Sequence, residues 1–435
     1  DVYKRQLRDR MGLSTNSEYK NVSALITNKG VMTMATKEEI LRELYPEDLF
    51  HYADGLTLGE AEVLQETRRL IEKHLRPVIN EYWEKPDFPF EEFYAVAKGA
   101  QIMNNPKLFE GREGSWKPSE LYIAFLYLEL ARFDASMATF YTVHGGLCYN
   151  TILLGGDERQ QKEFLPKLAA FDWQGCFALT EPLSGSDIAG GLATTAERVG
   201  DKWILNGEKR WIGGSDTADV VPVFARDVAD GKVKCFIVRK GAPGYHAEPI
   251  PHKIALRCVR NGHITMKNVE VPDSDRLVNI NGFGDVARIL TFTRADVAHI
   301  AMGVTCGSYV AALKYAKDRE QFKRPIAKFQ IVQEKLARMQ ANAVAVIAYS
   351  TRIAEMQEKG NELMLNSALA KMHNSLVMRE TVALARETCG GNGITLETDV
   401  ARFFADAESI YTYEGSHEVN ALIVGREITG LGAFV

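Results

Sequence analysis

The sequence predicts an α+β chain in three parts: an N-terminal helical domain, a central antiparallel β-barrel-like domain and a C-terminal four-helix bundle. Three observations carry this. Apolar residues recur at helical spacing as far as about residue 172. Near residue 173 the pattern changes to short apolar runs bounded by Gly, Pro, Asp and Asn, which read as strands. From residue 285 the helical period returns in long segments. Helices, then strands, then helices, with no alternating βαβ units, exclude a Rossmann sheet. The divisions fall at 34–172, 173–283 and 284–435.

Residues 1–33 are polar, mix charges without period and precede Met34-Ala-Thr-Lys-Glu-Glu. They are expected to be a disordered extension or a non-native leader outside the fold. Leu58 through Tyr82 then carries Leu64, Leu70, Ile71 and Leu75 at helical spacing, and Pro77 would end or bend that helix. Segments 117–134 and 137–155 are strongly apolar helices, the second interrupted at Gly145-Gly146, and Gln160 to Leu168 is a short charged helix. The stretch from Asn104 to Trp116 is rich in Gly and charge and reads as a loop. In the middle part, Cys176-Phe-Ala-Leu179 begins an apolar run. Trp203 to Ile212 reads as a hairpin turning at Asn206-Gly207, since Asn-Gly supplies the positive φ angles of a type I′ turn. Val220 to Ala225, Lys234 to Val238 and Gly262 to Val271 read as strands. The last part reads as antiparallel helices near 285–318, 327–358, 363–389 and 397–408, punctuated by Gly390-Gly391-Asn392-Gly393.

With 435 residues the chain exceeds one ordinary core. Hydrophobic residues make up 46% and charged residues 25%, the mix of a water-facing globular protein. A net charge of −5 gives no case for nucleic acid or an anionic membrane surface. Six cysteines without a CxxC pair argue against a metal site and a disulfide framework, and for a reducing, cytoplasmic compartment. No apolar run approaches the roughly 20 residues of a membrane span.

Near the end stands Tyr411-Thr412-Tyr413-Glu414-Gly415-Ser416. Ser416 can cap a helix, and Glu418 falls in its first turn, where the macrodipole favours an anion. Val419, Leu422 and Ile423 give that helix an apolar face. A carboxylate between an aromatic ring and a glycine can be desolvated by whatever binds beside it, which raises its pKa toward that of a general base. Alone, the same six residues also read as an exposed loop glutamate.

Four further stretches carry chemistry and an ordinary structural reading side by side. Phe177-Ala-Leu179-Thr180-Glu-Pro-Leu-Ser-Gly185-Ser186-Asp187 leaves a strand for a Gly/Ser/Asp turn that can hold an oxygen-rich ligand, or is a surface turn. Trp211-Ile212-Gly213 places a ring that can cover a flat cofactor, or a core tryptophan. Arg319-Glu-Gln321-Phe322, with Pro325, Phe329 and Gln330, sets a cation, an amide and aromatics between two helices, for a phosphate or adenine or for an inter-helix salt bridge. Gly390-Gly391 admits a close ligand backbone, or stops a helix.

In this order and spacing, together with Tyr413-Glu414-Gly415, these stretches resemble the acyl-CoA dehydrogenase family from about residue 45 onward. Within it the chain is most similar to the glutaryl-CoA dehydrogenase and short-chain acyl-CoA oxidase branch, through Glu81-Tyr-Trp-Glu-Lys, Lys209-Arg-Trp-Ile-Gly213 and Gly425-Arg-Glu-Ile-Thr-Gly430. The resemblance implies a flavoprotein oxidoreductase of fatty or amino acid catabolism, with noncovalent FAD, in a homotetramer built as a dimer of dimers. It implies conversion of an acyl-CoA, of short or medium chain, to trans-2-enoyl-CoA, with Glu414 abstracting the α-proton and flavin N5 accepting the β-hydride. It places Phe177, Leu179, Thr180, Trp211, Ile212 and Gly213 against the isoalloxazine, and Gly185 and Ser186 at the flavin or its phosphates. Ser186, Arg294 and Gly415 would also meet substrate. Arg319, Gln321, Phe322, Gln330, Glu387, Gly390 and Gly391 would reach the FAD of the neighbouring subunit, and Ser416 and Glu418 would complete the site. Some members carry the base just before the CoA arginine; here that residue is Thr293, which cannot serve.

Departures shape the expected substrate and acceptor. The glutaryl-specific arginine is matched by Ala138, which disfavours a distal carboxylate. Gly213 stands where most dehydrogenases carry threonine, a glycine that oxidases share. The acceptor is therefore an electron-transfer flavoprotein or, in the alternative reading as an acyl-CoA oxidase forming hydrogen peroxide, O2. A non-catalytic acyl-CoA-binding member is the third reading. Lys323 and Glu387 depart from the family's adenosine-side pattern, and the Asn104 to Trp116 loop departs at the ceiling of the acyl pocket.

Overall fold

A computed structural model of the chain describes residues 35–361 and 363–432. The leader expected at 1–33 lies outside the described residues. The N-terminal helices begin where the side chains can satisfy free N–H groups. Helix α1 (Lys37–Leu44) and α2 (Leu58–Leu70) each open with a capping box, Thr36 with Glu39 and Thr57 with Glu60. Helix α2 runs into a π-helical turn, Ile71–Leu75, and the chain breaks around Pro77 before α3 (Ile79–Glu84). Next come α4 (Phe90–Ala100), α5 (Glu120–Phe133) and α6 (Ala135–Tyr141). The interruption expected at Gly145-Gly146 is a second π-helical segment, Thr142–Cys148, which joins α6 to α7 (Tyr149–Gly155). Helix α8 (Glu158–Ala169), capped by Asp157, closes this part.

The middle of the chain forms one six-stranded sheet in the order β4-β3-β1-β2-β6-β5. Its strands are β1 (Thr195–Val199), β2 (Lys202–Gly213), β3 (Val220–Asp227), β4 (Val233–Arg239), β5 (Tyr245–Pro249) and β6 (Asn261–Pro272). Pairing is antiparallel except between β1 and β3, where Thr195 faces Arg226 in parallel.

The hairpin expected at Asn206-Gly207 is corrected: β2 passes straight through these residues. The chain reverses instead at Gly200-Asp201, between β1 and β2, with Gly200 at φ 65°. Gly207, at φ 145°, sits at a register shift against β6, where a Cβ would lie 2.7 Å from the Cα of Thr194. The glycine serves a bulge and a close backbone approach, not a turn.

Helix α9 (Phe283–Asp318) is the spine of the molecule. It is long and apolar enough to cross a membrane, but 78% of its most apolar stretch is buried inside the chain. It packs on α5 on one side and, on the other, on α10 (Gln330–Glu358) and α11 (Met364–Cys389). A two-residue hairpin, β7 (Glu320–Gln321) with β8 (Arg324–Pro325), links α9 to α10. Helices α12 (Val400–Thr412) and α13 (His417–Thr429) finish the chain. The approach of α5 to α9 depends on two glycines, Gly303 and Gly307. A Cβ on Gly303 would stand 2.5 Å from that of Ala131 and 2.9 Å from the carbonyl oxygen of Leu128. Gly303→Ala is expected to cost about 2 kcal/mol of unfolding free energy by overpacking, measured as a lower urea midpoint; an unchanged midpoint would contradict this packing.

Candidate active site

The loop between α12 and α13 carries Glu414. Tyr413 ends α12 in extended conformation, donating its N–H to Ser409 O at 3.0 Å. Ser416 opens α13, its hydroxyl accepting from Val419 N at 3.3 Å. Between them the backbone turns left-handed twice, at Glu414 (φ 56°) and Gly415 (φ 85°). Glycine takes this conformation freely, whereas a glutamate does so at about 1–2 kcal/mol. Buried side chains hold it there. Lys371, on α11, donates its ammonium to Tyr411 O at 2.8 Å and Gly415 O at 2.7 Å. Asn420 donates Nδ2 to Gly415 O at 2.8 Å and Ser416 O at 3.0 Å. The hydroxyls of Tyr413 and Thr139 lie 3.2 Å apart, tying the loop to α6.

The carboxylate of Glu414 turns toward α9, where the buried Thr293 donates its hydroxyl to Oε1. Burial pushes the Glu414 pKa above the ordinary carboxylate range, while the Thr293 hydrogen bond, Arg294 and Lys371 act to lower it. Burial pulls the Lys371 ammonium down to about 8, and Glu414 pulls it up. Arg294 follows Thr293 on α9, with Nε 3.7 Å from where a Cβ on Gly415 would stand. Among the described residues the Glu414 backbone N–H has no acceptor. A carboxylate with a raised pKa thus stands beside a free backbone donor.

A second group gathers at the end of β2. The segment holding Phe177, Leu179 and Thr180 runs beside β3, Ala178 donating its N–H to Pro222 O at 2.9 Å. Fully buried Lys209 pins it, donating to Leu179 O at 3.0 Å and to Glu181 at 2.8 Å. Arg210 N donates to Thr180 O at 2.9 Å, which brings Thr180 beside Trp211. Trp211 has φ 68° and leaves 53% of its surface open, so a flat apolar face is held out on a backbone that L residues avoid. That fits a planar ring. Ile212 and Gly213 are buried behind it, and a Cβ on Gly213 would meet Val143 at 3.2 Å. Gly185 and Ser186 occupy the exposed turn after the Glu181–Ser184 bridge.

The third group lies elsewhere. Arg319, Gln321, Phe322, Gln330, Glu387, Gly390 and Gly391 are all exposed and share one end of the helical bundle. Phe322 and Lys323, at φ 51° and 62°, form the tip of the β7–β8 hairpin, with Phe322 88% exposed. Lys335 pairs with Glu387 at 2.7 Å. Arg319 is twenty-five residues beyond Arg294, and the helix between them spans about 37 Å at 1.5 Å per residue. No hydrogen bond or ring contact joins this group to Glu414 among the described residues. Arg294, Gly415 and Ser416 do gather at Glu414, with Glu418 exposed in the first turn of α13.

Sequence reasoning set Thr293 aside because it cannot be a base, and so missed that its hydroxyl donates to the Glu414 carboxylate. It also missed Lys371, Asn420 and Lys209. Their one signal was polarity inside apolar helical or strand patterns, such as Lys371 between Ala370 and Met372.

Comparison with known proteins now identifies the frame. Residues 58–172 match "Acyl-CoA dehydrogenase, N-terminal domain", 176–269 the middle domain and 281–429 the C-terminal domain. An acyl-CoA dehydrogenase of Bacillus subtilis is 32% identical over 368 residues, covering 83% of this chain and 96% of the relative. A glutaryl-CoA dehydrogenase of Desulfococcus multivorans is 30% identical, covering 86% and 97%. The crystal structure of a glutaryl-CoA dehydrogenase of Mycobacterium smegmatis in complex with FADH2 superposes with a TM-score of 0.83 at 30% identity, covering 90% and 99%. The chain belongs to the acyl-CoA dehydrogenase family, whose cofactor is FAD.

The Thr293 hydrogen bond favours the charged form of Glu414. Thr293→Val is therefore expected to raise the Glu414 pKa by about one unit or more, shifting the acidic limb of the flavin-reduction rate against pH to higher pH. Thr293→Ser should restore it, and a limb that stays in place in Thr293→Val would show the hydroxyl to be irrelevant.

Proposed function

We propose that this family member dehydrogenates the α,β bond of a short- or medium-chain acyl-CoA, giving trans-2-enoyl-CoA, with Glu414 as the base. The observation that carries the reading is the Glu414 carboxylate itself: pKa raised, aimed by Thr293, and held next to a free backbone N–H. The α-hydrogen of a thioester is a weak acid, so its removal needs a base and hydrogen bonds to the carbonyl oxygen, where charge develops. Glu414 supplies the base, and its own N–H supplies one donor. Lys371 and Asn420 keep both in register by gripping the carbonyls on either side. FAD, when bound, supplies the hydride acceptor. Thr180 and Trp211 would seat its ring, and Gly185 and Ser186 its neighbouring groups, with Ser186, Arg294 and Gly415 toward the CoA thioester.

The exposed group around Phe322, roughly 37 Å along α9 from Arg294, would serve the FAD of a neighbouring copy in a homotetramer. At position 138 the buried alanine gives no cation for a distal carboxylate, which speaks against glutaryl-CoA as substrate. Gly213 has a packing reason in Val143, so it lends little weight to an oxidase, and an electron-transfer flavoprotein is the proposed acceptor.

Glu414→Gln is expected to slow flavin bleaching by acyl-CoA by about three orders of magnitude; undiminished bleaching would remove the proposed base. With the wild-type protein and butyryl-CoA in air, little hydrogen peroxide is expected. Stoichiometric peroxide would make the enzyme an oxidase.

A further inference from the structure

The carboxylate of Glu181, one residue past Thr180, ties together three pieces of backbone around the proposed flavin seat. Its Oε2 accepts from Ala193 N at 2.6 Å. Its Oε1 accepts from Thr194 N at 3.0 Å and from the Lys209 ammonium at 2.8 Å. Lys209, on β2, also donates to Leu179 O at 3.0 Å. Both side chains are buried, Lys209 completely. The turn from Pro182 to Leu192, which carries Gly185 and Ser186, thus leaves and returns at one carboxyl group. Inside it the Ser184 hydroxyl donates to Gly191 O at 2.8 Å, and Arg226 Nε donates to Leu192 O at 3.2 Å.

Stability alone does not account for this arrangement. A buried ion pair gains little over well-packed apolar side chains of the same volume, because both charges lose their water. What it supplies is geometry. A carboxylate accepts on both oxygens, and here its donors come from two stretches of chain distant from it in sequence. An amide could not replace it, since one of its polar atoms donates and would face an N–H or the ammonium. Burial acts to raise the Glu181 pKa, but Lys209 and the hydrogen bonds from Thr194 and Ala193 hold it below the ordinary carboxylate range. Burial pulls the Lys209 ammonium down to about 8, against the upward pull of Glu181 and of Cys235 on β4.

We propose that Glu181, paired with Lys209, is a positioning residue for FAD: it holds the Leu179–Thr180 segment and the Gly185–Ser186 turn in the one relative arrangement that receives the flavin ring together with its neighbouring groups. The proposal rests on the ring lying against Thr180 and Trp211, and it adds what keeps that seat assembled before the cofactor arrives.

The test follows the FAD-loaded full-length protein through serial dilution, with free flavin read by its fluorescence after ultrafiltration, so that FAD dissociation constants are obtained without turnover. Glu181→Gln, of nearly equal volume, is expected to weaken FAD binding about tenfold or more, as one misdirected buried hydrogen bond allows. Trp203→Phe removes the bond from Trp203 Nε1 to Asp273 at the other end of β2; it is the structural control and should bind FAD as the wild type does. Lys209→Met leaves the carboxylate without its cation and should weaken binding too, and adding Glu181→Gln to it should cost much less than the two changes summed. In the wild type, FAD affinity should fall as pH rises through about 8, where the Lys209 ammonium loses its proton. In Glu181→Gln that step should move to lower pH, since the ammonium no longer has its carboxylate. A loss in Glu181→Gln no larger than in Trp203→Phe would overturn the inference, as would wild-type affinity that stays flat through that pH range. Trp211→Ala separates the two readings. Unchanged FAD affinity there defeats the seat and this inference with it, whereas a loss in Trp211→Ala with none in Glu181→Gln defeats only the inference.

Discussion

The ammonium of Lys371, held between the carbonyls of Tyr411 and Gly415, is the interaction on which the rest of this site depends. It is a buried cation, and burial disfavours charge. What it receives in return is two carbonyl oxygens and the nearby negative charge of Glu414 and Glu418. What it provides is a fixed left-handed turn that points one carboxylate at α9. Without that anchor the glutamate would relax to an ordinary backbone conformation and lose the geometry of both its oxygens and its N–H. Asn420 acts from the other side of the same carbonyl, so the strained loop is determined from two helices at once.

Helix α9 sets where everything else lies. Its middle is sealed against α5 by glycines, its first half carries Thr293 and Arg294 side by side, and its end delivers the chain to the Phe322 hairpin. A straight helix of this length separates the two polar ends of the molecule by more than a cofactor-sized site would need within one chain. The group around Phe322 therefore lies far along α9 from Glu414, exposed at the other end of the bundle. The sheet contributes in a similar way: Lys209, buried against Leu179 and Glu181, fixes the segment that sets Thr180 beside Trp211.

Much of this was legible in the sequence. The alternation of helical and strand periods located the three parts, and the long C-terminal helices fell within a few residues of their observed bounds. The Ser416 cap was read from the residues alone, whereas Glu414 stood out only through the family resemblance, since by itself the loop also reads as an exposed glutamate. The Asn206-Gly207 bulge was not, because a positive φ serves a bulge as well as a turn, and the partner strand β6 is distant in sequence. The clamps were hidden for a related reason. Lys371, Asn420 and Thr293 act across helices that only the tertiary fold brings together, and a single polar residue in an apolar helix carries no sign of what it faces.

The most direct test of the account is the ionisation of Glu414 itself, followed by carboxyl-region infrared difference spectra across pH on the FAD-loaded protein and on Glu414→Gln. One carboxyl titrating clearly above the ordinary glutamate range, present in the wild type and absent from the variant, is the expected result. If the two proteins give the same spectra across that range, the carboxylate at the head of α13 is not the poised base described here.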